Sequence, residues 1–99
     1  MSMNMEQKIL DAMLQKAIEN KQKVNIRITD KNTELDCLMS VVLSKAAFNS
    51  ETGSNHVSIE GKDGLSLGFF FDTVSRNDNA ECKFYIESDT VIITVIIKK

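Results

Sequence analysis

The chain has no proline, no tryptophan, one histidine, two cysteines and four glycines in 99 residues. Without proline, no ring-locked φ ends or kinks an element, so each must stop by glycine, by Asn/Asp chemistry or by loss of pattern. The four glycines, Gly53, Gly61, Gly64 and Gly68, form no strand-to-helix phosphate cradle, which removes the usual nucleotide-binding reading. Cys37 and Cys82 stand far apart with no C-x-x-C pair and no second ligand cluster, so zinc-ribbon and thioredoxin-like chemistry are not supported. The longest apolar run that counts, Val91 to Ile97, has a threonine inside it and is seven residues long, against about 20 for a membrane-spanning helix. No membrane partner is expected.

Excess charge of one sign is also missing. Twelve Lys and Arg against fourteen Asp and Glu leave a net charge of -2, so no broad basic footprint for non-specific nucleic-acid binding exists. The start, Met1-Ser2-Met3-Asn4-Met5-Glu6-Gln7-Lys8, lacks the basic opening, apolar stretch and small-residue site of a secretory signal. The thiols are expected to be reduced and the location cytoplasmic.

What the chain does contain is a balanced globular composition, 42% apolar and 26% charged, enough for one modest core over residues 1–99. Ile9, Leu10, Met13, Leu14, Ala17 and Ile18 follow helical spacing and predict an amphipathic helix over about 5–20, with Asn4 as its cap and Gln7 as capping-box partner. After Lys23 the period drops from about 3.6 to 2. Strands are expected at about 24–29, 35–44, 56–61, 65–71, 81–87 and 90–97. The second should be long and central, with Leu35, Cys37, Met39, Val41 and Leu43 inward and with Leu38 and Val42 covered on the other face. Lys45 to Asn55 reads as the longest loop, although Ala46-Ala47-Phe48 could extend the strand or form a short helical turn, and Lys62-Asp63-Gly64 reads as a tight hairpin turn. The fold class is α+β: an N-terminal amphipathic helix, then an antiparallel meander of about six strands, strongly curled or closed into a small barrel.

The C-terminal strand carries no charge before Lys98 and Lys99, which act as gatekeepers, and would aggregate at a bare sheet edge. It must be covered, by a central place in the sheet, by the helix or by pairing with the same strand of a second subunit, and the last of these makes a homo-oligomer through this strand the expectation.

Catalytic chemistry has little to work with. General acid–base work favours His or a carboxylate pair in a cleft, and His56 reads as a solvent-facing imidazole at a strand start. Cys37 and Cys82 fall on the inward phase and read as buried hydrophobes rather than thiolate nucleophiles. The carboxylates Asp30, Glu34 and Asp36, and Asp72 with Asp78, lack the alternate spacing and closing Glu of a calcium loop. No enzyme activity, metal or cofactor is expected.

Two features lean towards binding. In Gly68-Phe69-Phe70-Phe71 the strand phase puts Phe69 and Phe71 inside and Phe70 outside, where it could stack on a base or fill a partner's pocket unless the helix covers it. The N-terminal third holds Lys8, Lys16, Lys21, Lys23, Arg27 and Lys31 against Glu6, Asp11, Glu19 and Asp30, so Lys21, Lys23 and Arg27 are candidates for a weak basic face.

The order of elements resembles the Sm-like small β-barrel family, which includes a bacterial RNA chaperone: a helix, a Lys-Val-x-Ile-x-Ile strand at Lys23, a polar turn, a long bent strand, Val57-x-Ile59, and a closing Phe70-Phe71-Asp72-Thr73-Val74-Ser75. The resemblance spans Gln7 to Arg76 and implies a barrel, a ring of subunits and RNA as ligand. Where that family carries a basic Tyr-Lys-His motif, this chain has Phe70-Phe71-Asp72, and a hairpin over Glu81 to Ile97 is extra. The sequence thus favours a small cytoplasmic, non-enzymatic interaction or regulatory module, homo-oligomeric, with an unknown protein partner. The runner-up is an Sm-like RNA-binding protein, and third is an acidic inhibitor or immunity-type partner.

Overall fold

The computed structural model describes residues 5–51, 54–77 and 82–97. Along them run α1 (Met5–Glu19), β1 (Lys23–Asp30), β2 (Asp36–Glu51), β3 (Ser54–Gly61), β4 (Ser66–Phe71), β5 (Thr73–Asn77), β6 (Cys82–Glu87) and β7 (Val91–Ile97). Asn4, Gly53, Asp78, Lys98 and Lys99, to which the sequence assigned roles, lie outside the described residues.

The helix forms because its apolar stripe has a sheet to cover. Leu10, Leu14 and Ala17 are fully buried, with Ile9, Met13 and Ile18 partly so. Each large apolar side chain so buried contributes about 1.5–3 kcal/mol. Gln15 ties the helix to the sheet by donating from Nε2 to the Ala46 carbonyl at 2.7 Å, and Met13 Sδ lies 3.7 Å from Cys82 Sγ. The helix ends in a Schellman motif. The Gln22 N–H reaches the Ala17 carbonyl at 2.9 Å and the Lys21 N–H the Ile18 carbonyl at 3.1 Å, with Lys21 left-handed at φ 54°.

All seven strands are antiparallel, in the order β4-β3-β2-β1-β7-β6-β5. Seven is one more than the sequence suggested. The addition is β5, whose only buried position is Val74, too little alternation to register as a strand. Of the expected loop, Lys45 to Glu51 and Ser54 to Asn55 are strand, with Ala46-Ala47-Phe48 extending β2. β2 continues to Glu51, and its second half pairs with β3, Phe48 opposite Val57 and Asn49 opposite His56. A register shift between Leu43 and Lys45 leaves Ser44 as an extra residue, and the strand pairs β1 up to Val42 and β3 from Leu43 onward.

The meander does not close into a barrel. With seven antiparallel strands, β4 and β5 run the same way, and Asp72 alone joins them. Parallel neighbours need a crossover of roughly a dozen residues or more, so these two cannot pair with each other. The Asp72 N–H instead bonds the Glu87 carbonyl at 2.8 Å. What does pair is the first strand with the last, Ile26 opposite Val95 and Ile28 opposite Ile93.

That pairing corrects the expectation for the C-terminal strand. β7 is bonded to β1 on one edge and β6 on the other, so the route to a dimer through this strand has no free edge to use. Its inward residues Ile93, Val95 and Ile97 join Phe84, Ile86, Val24, Ile26, Leu43, Val57 and Ile59 in the core.

Three expectations for β2 are overturned. Leu35, expected inward on it, precedes the strand and is 65% exposed. Leu38 shares the outer face with Arg27, its cross-strand partner, and is 70% exposed, so β2 has no second cover there. Cys37 shares the inner face with Ile28, as its phase required, yet is exposed, because the helix packs at the other end of the sheet, beside Ala46 and Cys82. Cys82 is buried as expected.

Candidate interaction surface

The Asp-Gly turn builds the surface around Phe70. The Gly64 N–H bonds the Gly61 carbonyl at 3.3 Å, and Gly64 takes φ 87°, a conformation open to glycine. The Gly61 N–H meets the Leu65 carbonyl at 2.9 Å, which fixes the register of the hairpin: Ile59 opposite Leu67, Val57 opposite Phe69, His56 opposite Phe70. Leu67, Phe69 and Phe71 therefore face inward, and Phe71 packs edge-on against Phe48 with ring centroids 5.9 Å apart. Ser66, Gly68 and Phe70 face outward.

Phe70 is 67% exposed, so the helix does not cover it. Its ring meets the His56 imidazole at 4.7 Å between centroids and 61° between planes. A Cβ at Gly68 would lie 3.3 Å from His56 Nε2, so the missing side chain is what lets the imidazole lie across β4. Strand phase already sets Gly68 beside Phe70 on the outward face, whereas His56 read separately as a solvent-facing imidazole at a strand start. The Asp63-Gly64 turn held the signal, because a hairpin register counted outward from it sets His56 against Phe70.

Beside this patch an open groove of about 660 Å³ is lined by Asn55, Phe70, Phe71, Asp72 and the β6–β7 turn Ser88-Asp89-Thr90. Its polar rim and openness differ from the enclosed, mostly apolar pockets that hold small molecules. Among the described residues no group of three or more His, Cys, Asp or Glu is placed to hold a metal ion. None of their helices is long and apolar enough to cross a membrane.

The basic candidates are not gathered at this patch. Lys21 is the left-handed residue closing α1, Lys23 begins β1, and Arg27 sits mid-β1, with β2 and β3 between β1 and Phe70 on β4. Arg27 is engaged by a carboxylate, donating from Nε to both Asp36 oxygens at 2.9 and 3.1 Å. That hydrogen bond, with the charge behind it, holds the Asp36 carboxyl below the ordinary carboxylate range and raises the guanidinium further; Thr29 Oγ1 adds a weaker bond at 3.2 Å. Lys31 is likewise paired, Nζ to Glu87 Oε2 at 2.6 Å, clamping the β1–β2 turn to β6.

The remaining element of the surface is backbone. β4 pairs only with β3, and β5 only with β6, among the described strands. Because the Gly61–Leu65 bond points the Leu65 polar groups at β3, alternation points those of Leu67, Phe69 and Phe71 the same way. The N–H and C=O groups of Ser66, Gly68 and Phe70 then point to the open side. Edge strands are ordinarily blunted by Lys, Pro, a bulge or an inward charge, and Ser-Leu-Gly-Phe-Phe-Phe has none of these.

No family model, no curated protein and no solved structure matches this chain.

Proposed function

We propose that this protein is a small non-enzymatic interaction module of the reducing cytoplasm, and that it works as a homo-oligomer by strand addition at the β4 edge. The observation that carries this reading is β4 itself: an uncharged strand with three outward N–H and C=O pairs and an exposed phenylalanine beside them. Strand addition supplies affinity through main-chain hydrogen bonds and specificity through alternate side chains. The strand order supports the same reading, since it leaves β4 and β5 as the two ends of an open sheet.

RNA binding is the second reading, favoured by one observation, the exposed Phe70 ring beside His56. It draws no help from Arg27, which is paired, and it predicts salt-sensitive retention on a polynucleotide.

The test is amide exchange against concentration, alongside molar mass by light scattering. The expected result is a mass above the 11.1 kDa monomer, with the Ser66, Gly68 and Phe70 amides slowing as the protein is concentrated. A monomer at every concentration, with those three amides exchanging freely, would overturn the proposal.

A further inference from the structure

We infer that the occupant of the β4 edge is a second copy of β4, in a two-fold antiparallel pair centred on Phe69 that seats Phe70 of each copy over Gly68 of the other. This deepens the strand-addition reading and rests on it. The first support is self-complementarity. Along the outward row the edge reads Ser66, Gly68, Phe70, and a two-fold axis through Phe69 sets the exposed ring of one copy opposite Gly68 of the other, where the His56 imidazole lies across the strand in place of a side chain. Aromatic cover of an edge glycine is a known device for fixing register.

The backbone agrees with that register. Gly68 and Phe70 are both residues whose N–H and C=O groups point away from β3, so Gly68 of one copy and Phe70 of the other form a hydrogen-bonded pair, exchanging both bonds, and the axis repeats the exchange. The inner face agrees as well. Leu67, Phe69 and Phe71 face inward, and the same axis sets Phe69 against Phe69, extending the apolar row from one sheet into the next.

His56 adds a wall. Its Nε2 stands 3.3 Å from where a Gly68 Cβ would be, so the imidazole takes up the space over the glycine and an incoming Phe70 ring packs on the imidazole. The other bare edge offers less. The outward row of β5 is Thr73, Ser75 and Asn77, all exposed, with no apolar ring or glycine gap to meet Phe70. Pairing β4 with β5 of the next copy would leave Phe70 beside polar side chains and would build a ring or an open filament, whereas the β4–β4 pair closes as a dimer.

The experiment is sedimentation equilibrium together with isotope-filtered NOE measurements on a mixed sample of labelled and unlabelled chain. The expected result is a dimer, with contacts between the Phe70 ring of one chain and Gly68 Hα and His56 of the other. Phe70→Ala should weaken the dimer by about tenfold or more, while Phe70→Tyr keeps it, both retaining the monomer's circular dichroism because the side chain is exposed. A ring or larger assembly with Phe70 contacts to Ser75 would overturn this pairing and leave strand addition standing. A monomer with freely exchanging β4 amides would overturn both, and a dimer insensitive to Phe70→Ala would overturn the seating of Phe70.

Discussion

β7 and β4 are both short, uncharged and rich in large apolar residues, Val-Ile-Ile-Thr-Val-Ile-Ile against Ser-Leu-Gly-Phe-Phe-Phe, yet the fold treats them oppositely. β7 is bonded on both edges and supplies three residues to the core, whereas β4 is bonded on one edge and leaves Phe70 in solvent. Composition made β7 the hazard. Position in the sheet makes β4 the reactive strand, because stickiness of a β-segment lies in unpaired backbone groups as much as in apolar side chains.

The sharpest way to break this contrast is to make the same change on both strands. Val95→Asp buries a carboxylate with no partner at a position that is 0% exposed, and should cost several kcal/mol, seen as loss of soluble folded protein or of the cooperative urea transition. If Val95→Asp were tolerated, the inward register of β7 would be wrong. A step below that, Phe84→Ala removes the ring that faces Val95 across β6 and β7 and that Arg76 covers at 5.6 Å. The cavity should cost about 3–5 kcal/mol, read as a shift in denaturation midpoint at constant m-value.

The matching change on the edge should do far less to folding. Phe70→Asp, on an exposed outward position, should alter the stability of the monomer by no more than about 0.5 kcal/mol while lowering self-association in light scattering. A large loss of monomer stability would mean that Phe70 is structural. The smallest effect belongs to the exposed Arg27–Asp36 pair on β1 and β2. Its carboxyl is held below the ordinary value by the Arg27 hydrogen bond, so the folded state binds that proton less readily than the unfolded one. The pair's contribution is present above the unfolded carboxylate pKa and fades as pH falls through the lower folded value. Thermal melts of wild type and Asp36→Asn should therefore converge in acid, below about pH 4, and differ only slightly at neutral pH.

How far the sequence could be read follows from the same contrast. The helix was legible because Leu10, Leu14 and Ala17 keep a helical period without help from elsewhere, and the hairpin at Asp63-Gly64 because its turn chemistry is local. The second half of β2 was not. Asn49 and Ser50 are turn formers by intrinsic preference, but opposite His56 and Asn55 they are strand, since the bonds that hold them come from β3. Cys37 had the right phase and the wrong burial, because phase is a property of the strand and cover is a property of where the helix lands. Of the candidate surface, the outward direction of Phe70 and of Gly68 beside it was legible from strand phase, the contact with His56 depends on the β3–β4 register, and the two strands that separate Lys23 and Arg27 from Phe70 depend on the order of the sheet.

By itself, then, the order of residues determined the helix, the inward faces of the strands that alternate clearly and the tight Asp63-Gly64 turn, because these depend on neighbours within a few positions. Only the folded chain decided which edges meet. Whether Val91–Ile97 or Ser66–Phe71 would be left bare depended on β1 reaching the last strand, and on an odd number of antiparallel strands that leaves β4 and β5 running the same way, joined by a single residue too short to let them pair.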